Sequence, residues 1–355
     1  MSELNFEPKY AFMKPNTFAR GWHIVMFSAE LKVGEIKPIN YFNREMVIYR
    51  GESGKAAILD AYCPHLGAHL ASNGGRLKGD CIACPFHGWT YDSEGTCVDI
   101  PYANSIPPKA VNALKAYPIL EKNGFIAIWN DPENGEPDNY LPDIPVFGKG
   151  SNGEKGWGDW QFHRSRVRAK GCDVIENIVD VGHFGYVHGG KVREFENKFT
   201  EFTVTQISKV DRDPNADMII PTGLSFDLSA VAAESLATEA DAWGDATYHG
   251  PAIMYYYTES RSEAFSYQSW WVNYHTPIND EEVDLCSAVI VNSLTDEPLP
   301  QDFIEQYPLT AHAAFWQDVE IWQDKMYQPE PILCDGDGPV NKLRRWYENF
   351  YLPRT

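Results

Sequence analysis

Positive charge, long apolar runs and a signal-peptide-like start are what this sequence has little of. It carries 30 Lys and Arg against 50 Asp and Glu, a formal net charge of −20, and such a field repels the phosphate backbone of nucleic acids. No run approaches the ~18 consecutive apolar residues of a membrane span, and the start, MSELNFEPKYAFMKP, contains no apolar signal core. These absences predict a cytoplasmic protein that neither binds nucleic acid nor spans a membrane.

Cysteine is too scarce and too unevenly placed for a disulfide scaffold. Seven cysteines is an odd number in a chain of 355 residues, whereas disulfide frameworks are typical of short secreted chains. Four of them crowd into one segment: Cys63, Cys81, Cys84 and Cys97. The others are interpreted as buried thiols, because free cysteine behaves as a small hydrophobic residue: Cys172, Cys286 and Cys334.

Length and composition indicate two folded domains, at roughly 150 residues per domain. A content of 43% hydrophobic and 14% aromatic residues excludes a disordered chain. Residues 1–130 are predicted as the first domain and 157–355 as the second. Residues 131–156 are dense in Pro, Gly and charge, which predicts a linker.

Short apolar segments separated by Gly and Pro turns favour a small β barrel or sandwich in the first domain. The second domain combines similar segments with three helical ones, which predicts a mostly antiparallel sheet with helices packed on it, an α+β fold. Strands are predicted at 20–28, 46–50, 56–61, 125–129, 161–170, 199–210, 223–232, 247–257, 264–274 and 283–291, with a hairpin turn at 92–95. Helices are predicted at 173–183, 301–326 and 340–350.

The first candidate metal site consists of two short loops, each with Cys-Pro followed closely by His. Cys63-Pro64-His65 is followed, after 18 residues, by Cys84-Pro85-Phe86-His87. A structural zinc site uses the same residue types, but usually with two closely spaced cysteines in one loop. One Cys and one His per loop suits a [2Fe–2S] cluster of the Rieske type, in which one iron takes both thiolates and the other both imidazoles. His69 and Cys81 break the spacing and are not predicted as ligands.

A second set of candidate ligands lies in the segment GCDVIENIVDVGHFGYVH (171–188). Its polar residues recur every three or four positions, which predicts one face of a helix: Asp173, Glu176 or Asn177, Asp180 and His183. Such a stripe is also typical of the solvent side of an amphipathic helix. His183 and His188 favour a metal instead, because Gly185 is expected to end or kink the helix and return His188 toward His183.

The carboxylate that would complete this site is predicted in FWQDVEIW (315–322). Two histidines and one carboxylate form the facial triad of non-haem Fe(II) oxygenases. Asp318 lies at the edge of an apolar helical face, and a carboxylate there is costly unless it is paired or metal-bound. Asp318 is therefore the predicted third ligand, although N–H donors or a salt bridge would also satisfy it. The apolar face consists of Phe315, Val319, Trp322 and Met326.

The cluster motif, combined with N-x2-D-x2-H-x4-H over residues 177–188, resembles the α-subunits of Rieske non-haem iron oxygenases. The segments DVEIW (318–322) and LRRWYENFY (343–351) are similar, more particularly, to the oxygenase components of 3-ketosteroid 9α-hydroxylases. This resemblance covers nearly the whole chain. It implies a Rieske β domain followed by a helix-grip catalytic domain, and a terminal oxygenase that hydroxylates a steroid with O2.

The resemblance also implies a role for each candidate residue. The cluster ligands would be Cys63, His65, Cys84 and His87. The mononuclear Fe(II) ligands would be His183, His188 and Asp318. Asp180, with Asn177 beside it, would act in electron transfer between the cluster of one subunit and the iron of its neighbour, which implies a homotrimer. The substrate would be lined by Ile178, Met254, Tyr256, Phe315 and Trp322.

A separate reductase is expected, because the sequence has no G-x-G-x-x-G after a strand and no Walker A loop. NADH and FAD would bind that partner, which by family likeness is a flavin protein with a plant-type [2Fe–2S] centre. The loop CPHLGAHL and the following Gly-Gly-Arg are closer to cholesterol 7-desaturases, and Gly185 replaces a bulky aromatic residue of the hydroxylases. Sterol desaturation or demethylation therefore stays open, as does a Rieske electron carrier with an inactive second domain.

Overall fold

The computed structural model describes residues 9–145, 147, 160–212, 243–261 and 265–354. The chain forms two compact units. The N-terminal unit comprises residues 22–138 and 278–280, and the C-terminal unit comprises residues 1–21, 139–277 and 281–355. The predicted boundaries put residues 1–130 in the first domain, whereas residues 9–21 pack in the C-terminal unit. No helix in the described ranges is long and apolar enough to cross a membrane.

The N-terminal unit consists of three small antiparallel sheets, with strand orders β1-β11-β10, β2-β3-β4-β9 and β5-β6-β7-β8. Its strands are β1 (Gly21–Phe27), β2 (Ile36–Tyr41), β3 (Arg44–Arg50), β4 (Ala56–Asp60), β5 (Arg76–Lys78), β6 (Cys81–Ala83), β7 (Thr90–Tyr91), β8 (Cys97–Asp99), β9 (Ala116–Tyr117), β10 (Ile119–Lys122) and β11 (Phe125–Asn130). The predicted hairpin turn at 92–95 joins β7 to β8, and Cys81 begins β6 rather than lying in a ligand loop.

The core of this unit surrounds the two motif loops. Val47, Leu59 and Ile82 are fully buried in the same cluster as Cys63 and Cys84. One loop follows β4 and the other follows β6, so the strands hold both cysteines at the edge of the core. The cysteine side chains are thereby removed from water while their loops stay at the surface.

The C-terminal unit is built on one seven-stranded antiparallel sheet with the order β12-β18-β17-β16-β15-β14-β13. Its strands are β12 (Gln161–Val167), β13 (Gly190–Phe199), β14 (Thr203–Arg212), β15 (Trp243–His249), β16 (Ile253–Arg261), β17 (Ser266–Pro277) and β18 (Val283–Ser293). Its helices are α1 (Gly171–Glu176), α2 (His183–Tyr186), α3 (Gln301–Trp322) and α4 (Val340–Glu348). Together the two units confirm the predicted α+β class.

The long helix α3 packs against one face of this sheet through aromatic side chains. The ring of Trp316 contacts His163 on β12 at 4.3 Å, and the Tyr307 hydroxyl lies 2.7 Å from Ser269 Oγ on β17. Side chains on a strand alternate between the two faces of the sheet. The contacts with His163 and Ser269 therefore fix which face α3 covers and the direction in which Asp318 points. Asp318 is 6% exposed, in agreement with its predicted position at the edge of the apolar face.

The predicted continuous helix over 173–183 is wrong. Helix α1 ends at Glu176, a 3-10 turn covers Asn177–Val179, and Asp180 is extended (ψ 110°) before α2 begins at His183. The Asp180 carboxylate accepts the backbone N–H groups of Gly182 (2.9 Å) and His183 (3.2 Å). Aspartate competes with the helix in this way by bonding nearby backbone donors, so the break has a local cause.

Three smaller predictions also differ from the structure. The strand predicted at 247–257 is two strands, β15 and β16, because Gly250 turns the chain with φ +71°. Met326 does not belong to the α3 face, since the helix ends at Trp322 and Met326 is 76% exposed. Cys334 is exposed rather than buried, whereas Cys172 and Cys286 are buried as predicted. The strand predicted at 223–232 lies outside the described residues.

Gly338 packs so closely that no side chain fits there. A Cβ at this position would overlap the carbonyl oxygen of Val179, in the 3-10 turn before Asp180, whereas a Cβ at Gly336 would meet only Cys334 Sγ at 3.7 Å. We expect Gly338→Ala to lower the free energy of unfolding by about 2 kcal/mol, because overpacking displaces backbone. Thermal unfolding measures this, with Gly336→Ala as the matched control. Equal melting temperatures for the two variants would contradict the close packing.

Candidate metal centres

The Cys63-Pro64-His65 and Cys84-Pro85-Phe86-His87 loops of the N-terminal unit have the same pattern of backbone hydrogen bonds. The N–H of Cys63 bonds the carbonyl of Ala68 (2.9 Å), and the N–H of Gly67 bonds the carbonyl of Cys63 (2.9 Å). The second loop repeats this pattern with Cys84, Trp89 and Gly88, at 2.8 and 3.0 Å. Gly67 and Gly88 adopt φ +74° and +75°, which glycine adopts without steric cost. The two loops therefore have equivalent backbone conformations and hold their Cys and His side chains in equivalent positions.

The side chains of these loops fit a two-iron cluster. Cys63 and Cys84 are each 2% exposed, and the rings of His65 and His87 lie 4.9 Å apart. Nδ1 of both histidines is buried and has no hydrogen-bond partner, which is costly unless something binds there. Burial raises the pKa of the Cys63 thiol, so its thiolate form requires a nearby cation.

A single zinc ion fits these loops poorly. Tetrahedral zinc holds its donors at roughly 2.0–2.3 Å and therefore draws them together. Within the described ranges, no three of these Cys and His donor atoms lie within 4.8 Å of one another, whereas donor atoms of His183, His188 and Asp318 do. Two pairs of donors bound to two different irons would not need to converge so tightly.

Two aromatic residues that the sequence interpretation missed complete this site. The hydroxyl of Tyr91, a fully buried side chain, lies 3.2 Å from Cys63 Sγ, and a thiolate there would accept its hydrogen. The indole of Trp89 stacks on His65 at 4.6 Å and donates to the Tyr102 hydroxyl at 2.8 Å. The signal in the sequence was their position directly after the second motif.

The second site lies in the C-terminal unit, where His183, His188 and Asp318 converge. One donor atom from each lies within 4.8 Å of the other two. The two imidazole rings are 5.1 Å apart, and His188 Nε2 is 3.5 Å from Asp318 Oδ2. This is the donor set that the sequence analysis assigned to a facial triad.

Each imidazole is oriented by a hydrogen bond to its other nitrogen. His183 Nδ1 bonds the backbone carbonyl of Asp180 at 2.9 Å, and His188 Nδ1 bonds the side-chain oxygen of Gln317 at 2.7 Å. Such partners fix the tautomer and leave Nε2 for a metal. Gln317 was not identified from the sequence, although its place next to Asp318 on a buried helix is a usable signal.

Electrostatics at this site favour charge separation between the histidines and the carboxylates. Burial lowers the pKa of His188, but the nearby Asp318 carboxylate outweighs burial and leaves that pKa raised. Burial likewise raises the pKa of Asp180, but its hydrogen bond and charge interaction with His183 leave it lowered. Both shifts reflect carboxylates held close to imidazoles, an arrangement that a divalent cation would stabilise further.

The five residues predicted to line the substrate fall into two groups, and Asn177 lies apart from both. Ile178, Met254 and Tyr256 belong to or pack against one apolar cluster, formed by α4 and the sheet. Phe315 and Trp322 pack in another, on α3, with their ring centroids 5.8 Å apart. Asn177 lies in the 3-10 turn, where its carbonyl accepts the N–H of Asp180 (3.1 Å).

A cavity of about 460 Å³ opens elsewhere in the C-terminal unit. It is lined by Trp322, Lys325, Asp173 and Phe12, among others, and by none of the three converging donors. The volume is in the range of small-molecule pockets, but the position separates it from the candidate chemistry. We therefore assign it no part in the metal site.

We expect Tyr91→Phe to lower the reduction potential of the cluster without releasing it. The hydroxyl stabilises the reduced, more negative cluster, and its loss should cost about 60 mV, the one-electron equivalent of a hydrogen bond of ~1.4 kcal/mol. Tyr49→Phe is the control, because Tyr49 is equally buried in this core but bonds the Asp80 carbonyl (3.3 Å). Potentiometric titration would refute the role of Tyr91 if both variants kept the native potential.

Comparison with known proteins assigns both parts of the chain to known protein families. Residues 21–118 match the Rieske [2Fe–2S] domain and residues 128–351 match the 3-ketosteroid 9α-hydroxylase C-terminal domain. A probable 3-ketosteroid 9α-monooxygenase oxygenase component of Rhodococcus rhodochrous is 35% identical over 95% of this chain and 81% of its own length. A cholesterol 7-desaturase of Hemicentrotus pulcherrimus is 31% identical over 95% of this chain and 70% of its own.

Solved structures agree on the fold. Dicamba monooxygenase bound to 3,6-dichlorosalicylic acid superimposes with a TM-score of 0.70 at 21% identity, covering 94% of this chain and 98% of the other. At that identity the likeness speaks for architecture alone. The Cys-Pro-His and Cys-Pro-Phe-His loops, the converging histidines and carboxylate, and the two domain matches lead to one conclusion: this chain is a Rieske monooxygenase of the family that carries the 3-ketosteroid 9α-hydroxylase C-terminal domain.

Proposed function

We propose that this chain is the terminal oxygenase component of a multicomponent system that hydroxylates a steroid. The observation that carries the proposal is the convergence of His183, His188 and Asp318 within 4.8 Å, in a chain that also has both cluster loops. The proposed reaction is taken from the relatives named 3-ketosteroid 9α-monooxygenase, oxygenase component. In this proposal the protein acts in the cytoplasm, in the degradation of lipids.

The proposed metal ligands are the cysteine, histidine and aspartate residues of the two candidate sites. Cys63, His65, Cys84 and His87 would hold the [2Fe–2S] cluster, and His183, His188 and Asp318 would hold Fe(II). When bound, the cluster supplies single electrons and the mononuclear iron supplies the chemistry of O2. The chain itself orients the imidazoles through the Asp180 carbonyl and Gln317. NADH and FAD would bind only to a separate reductase.

The proposed substrate residues exclude water from the reacting carbon. Ile178 and Trp322 are 2% and 6% exposed, and Met254, Tyr256 and Phe315 are half-buried. A rigid apolar ligand is bound mainly by shape and by removal of water, which suits a steroid better than a small charged acid. Gly185 is exposed, and a Cβ there would meet only the Gly190 carbonyl at 3.8 Å, so a larger side chain fits at this position. From the resemblance, the glycine is proposed to let the protein accept a bulkier substrate than androstenedione.

Asp180 is proposed to carry electrons between subunits of a homotrimer. Its carboxylate is half exposed, and its recorded contacts all involve Oδ1, which accepts the backbone N–H groups of Gly182 and His183 and lies 3.8 Å from His183 Nδ1. One oxygen is therefore available to a cluster-ligand histidine of a neighbouring copy. Asn177 would support this geometry through its carbonyl, which accepts the Asp180 N–H.

Sterol desaturation is the second candidate function. It is favoured by the 31% identity to a cholesterol 7-desaturase and by the first cluster loop. The same metal ligands serve both outcomes, so only the product separates them. A Rieske electron carrier is the alternative from another class, and iron analysis distinguishes it: three irons per chain for the oxygenase and two for the carrier.

The substrate proposal predicts oxygen insertion into a steroid. With NADH, a suitable reductase and ¹⁸O2, we expect a 3-ketosteroid or related sterol to gain one labelled oxygen atom, measured by product mass. Gly185→Phe should narrow the accepted range toward smaller steroids, because the added ring fills the open space. A product lighter by two hydrogens would favour the desaturase. Turnover restricted to small aromatic acids would reject the steroid assignment but not the iron chemistry.

Asp180→Asn is expected to keep both metals and to lose most of its turnover. The His183 ring is held by a backbone carbonyl, which the substitution leaves in place, whereas the negative charge proposed to serve electron transfer is removed. Metal analysis and the EPR spectrum of the reduced cluster measure retention, and single-turnover kinetics measure transfer. Asp302→Asn, an exposed site in the first turn of α3, is the control. Native turnover in Asp180→Asn would reject the proposed role.

A further inference from the structure

A cluster of four charged side chains lies beside the segments that carry the proposed iron ligands. It consists of Asp173, Glu176, Lys325 and Arg344, whose side chains are 4%, 12%, 33% and 4% exposed. Lys325 Nζ lies 3.1 Å from Asp173 Oδ1 and 3.3 Å from Glu176 Oε2, and Arg344 Nε lies 2.7 Å from Glu176 Oε1. The two acids and two bases balance in charge, as burial requires.

The cluster joins elements that are distant in the sequence. Asp173 and Glu176 are three residues apart on α1 and so share one face. Lys325 follows α3 directly, and its backbone N–H bonds the carbonyl of Trp322 (3.3 Å). Arg344 lies on α4 and also donates to the Gln328 carbonyl (2.7 Å). One set of ion pairs therefore ties α1 to the end of α3 and to the chain beyond it.

Two residues of this cluster each lie seven positions along the chain from a candidate iron ligand. Lys325 follows Asp318 by seven residues, and Glu176 precedes His183 by seven. Between Asp318 and Lys325 the chain is helical as far as Trp322, and between Glu176 and His183 it passes through a 3-10 turn and the extended Asp180. The two segments are thus in contact at two points, once where the donor atoms converge and once at the Lys325 ion pairs. A shift at the second point would change the separation at the first.

Lys325 is the member whose loss would act most selectively. Glu176 keeps its bond to Arg344 without it, whereas Lys325 forms the one ion pair recorded for Asp173 in the described ranges, where Lys170 adds only a longer-range attraction. Burial already raises the pKa of the Asp173 carboxyl, so an unpaired Asp173 would take up a proton or move toward water. Either change alters how α1 sits against the end of α3.

We propose that Lys325 is a positioning residue for the mononuclear iron, setting through Asp173 and Glu176 how His183 and His188 stand relative to Asp318. The proposal rests on the proposed ligand roles. It does not place Lys325 in contact with the metal or the substrate.

The test compares Lys325→Met with Lys170→Met in the iron-loaded protein. Lys170 is exposed beside the same cluster and forms no ion pair within the described ranges, so it controls for loss of a nearby positive charge. The measurements are the EPR spectrum of the Fe(II)–nitric oxide adduct and the rate at which a chelator removes the iron. We expect Lys325→Met to change the rhombicity of the adduct signal and to release iron at least tenfold faster, with the cluster signal unchanged. Lys325→Arg should recover most of the native behaviour.

Several outcomes would overturn the proposal. A Lys325→Met protein that melts earlier but keeps the native adduct spectrum and iron-release rate would make the cluster structural only. The same changes in Lys170→Met would reduce the effect to general electrostatics. If Lys325→Met does not fold, Lys325→Gln, which retains a hydrogen-bond donor, takes its place with the same expected results. A native protein with no nitric oxide adduct would instead reject the ligand assignment itself, which the product assay tests separately.

Discussion

The contact between a buried carboxylate and two imidazoles is the constraint on which the C-terminal unit depends. Asp318 is 6% exposed and lies 3.5 Å from His188 Nε2, while its neighbour Gln317 reaches a histidine 129 residues away in sequence. A buried charge of this kind is tolerated only with a partner of opposite charge or a metal. The seven-stranded sheet and α3 can be understood as the frame that brings these distant segments together.

The N-terminal unit differs, because each half of its candidate ligand set lies within one short loop. Each loop needs only a cysteine, a proline, a glycine at positive φ and two backbone hydrogen bonds to present its donors. The two loops then have to be placed side by side, which the short strands around them accomplish. Buried Tyr91 and stacked Trp89 add the surroundings that distinguish an electron-transfer site from a structural one.

Local chemistry could be predicted from the sequence, and geometry set by tertiary contacts could not. Residue spacing singled out the two candidate cluster loops and the paired histidines, since Cys-Pro-His, Cys-Pro-Phe-His and His-x4-His are short motifs, and the periodicity of an apolar helical face singled out Asp318. The break at Asp180 was missed because a carboxylate capping its own following N–H groups leaves the apolar periodicity intact. Gln317 and Tyr91 were missed for another reason: each matters through a partner far away in the chain, and one sequence gives no indication of that partner.

At the break in the helix, the main chain and the side chain of Asp180 have different roles. Its main-chain oxygen holds the ring of His183, and its side chain caps the next turn and faces outward. A main-chain atom is the same whatever amino acid occupies the position. A substitution here can therefore change the charge of the side chain, while the main-chain hydrogen bond to the histidine is kept in every variant that keeps the bend.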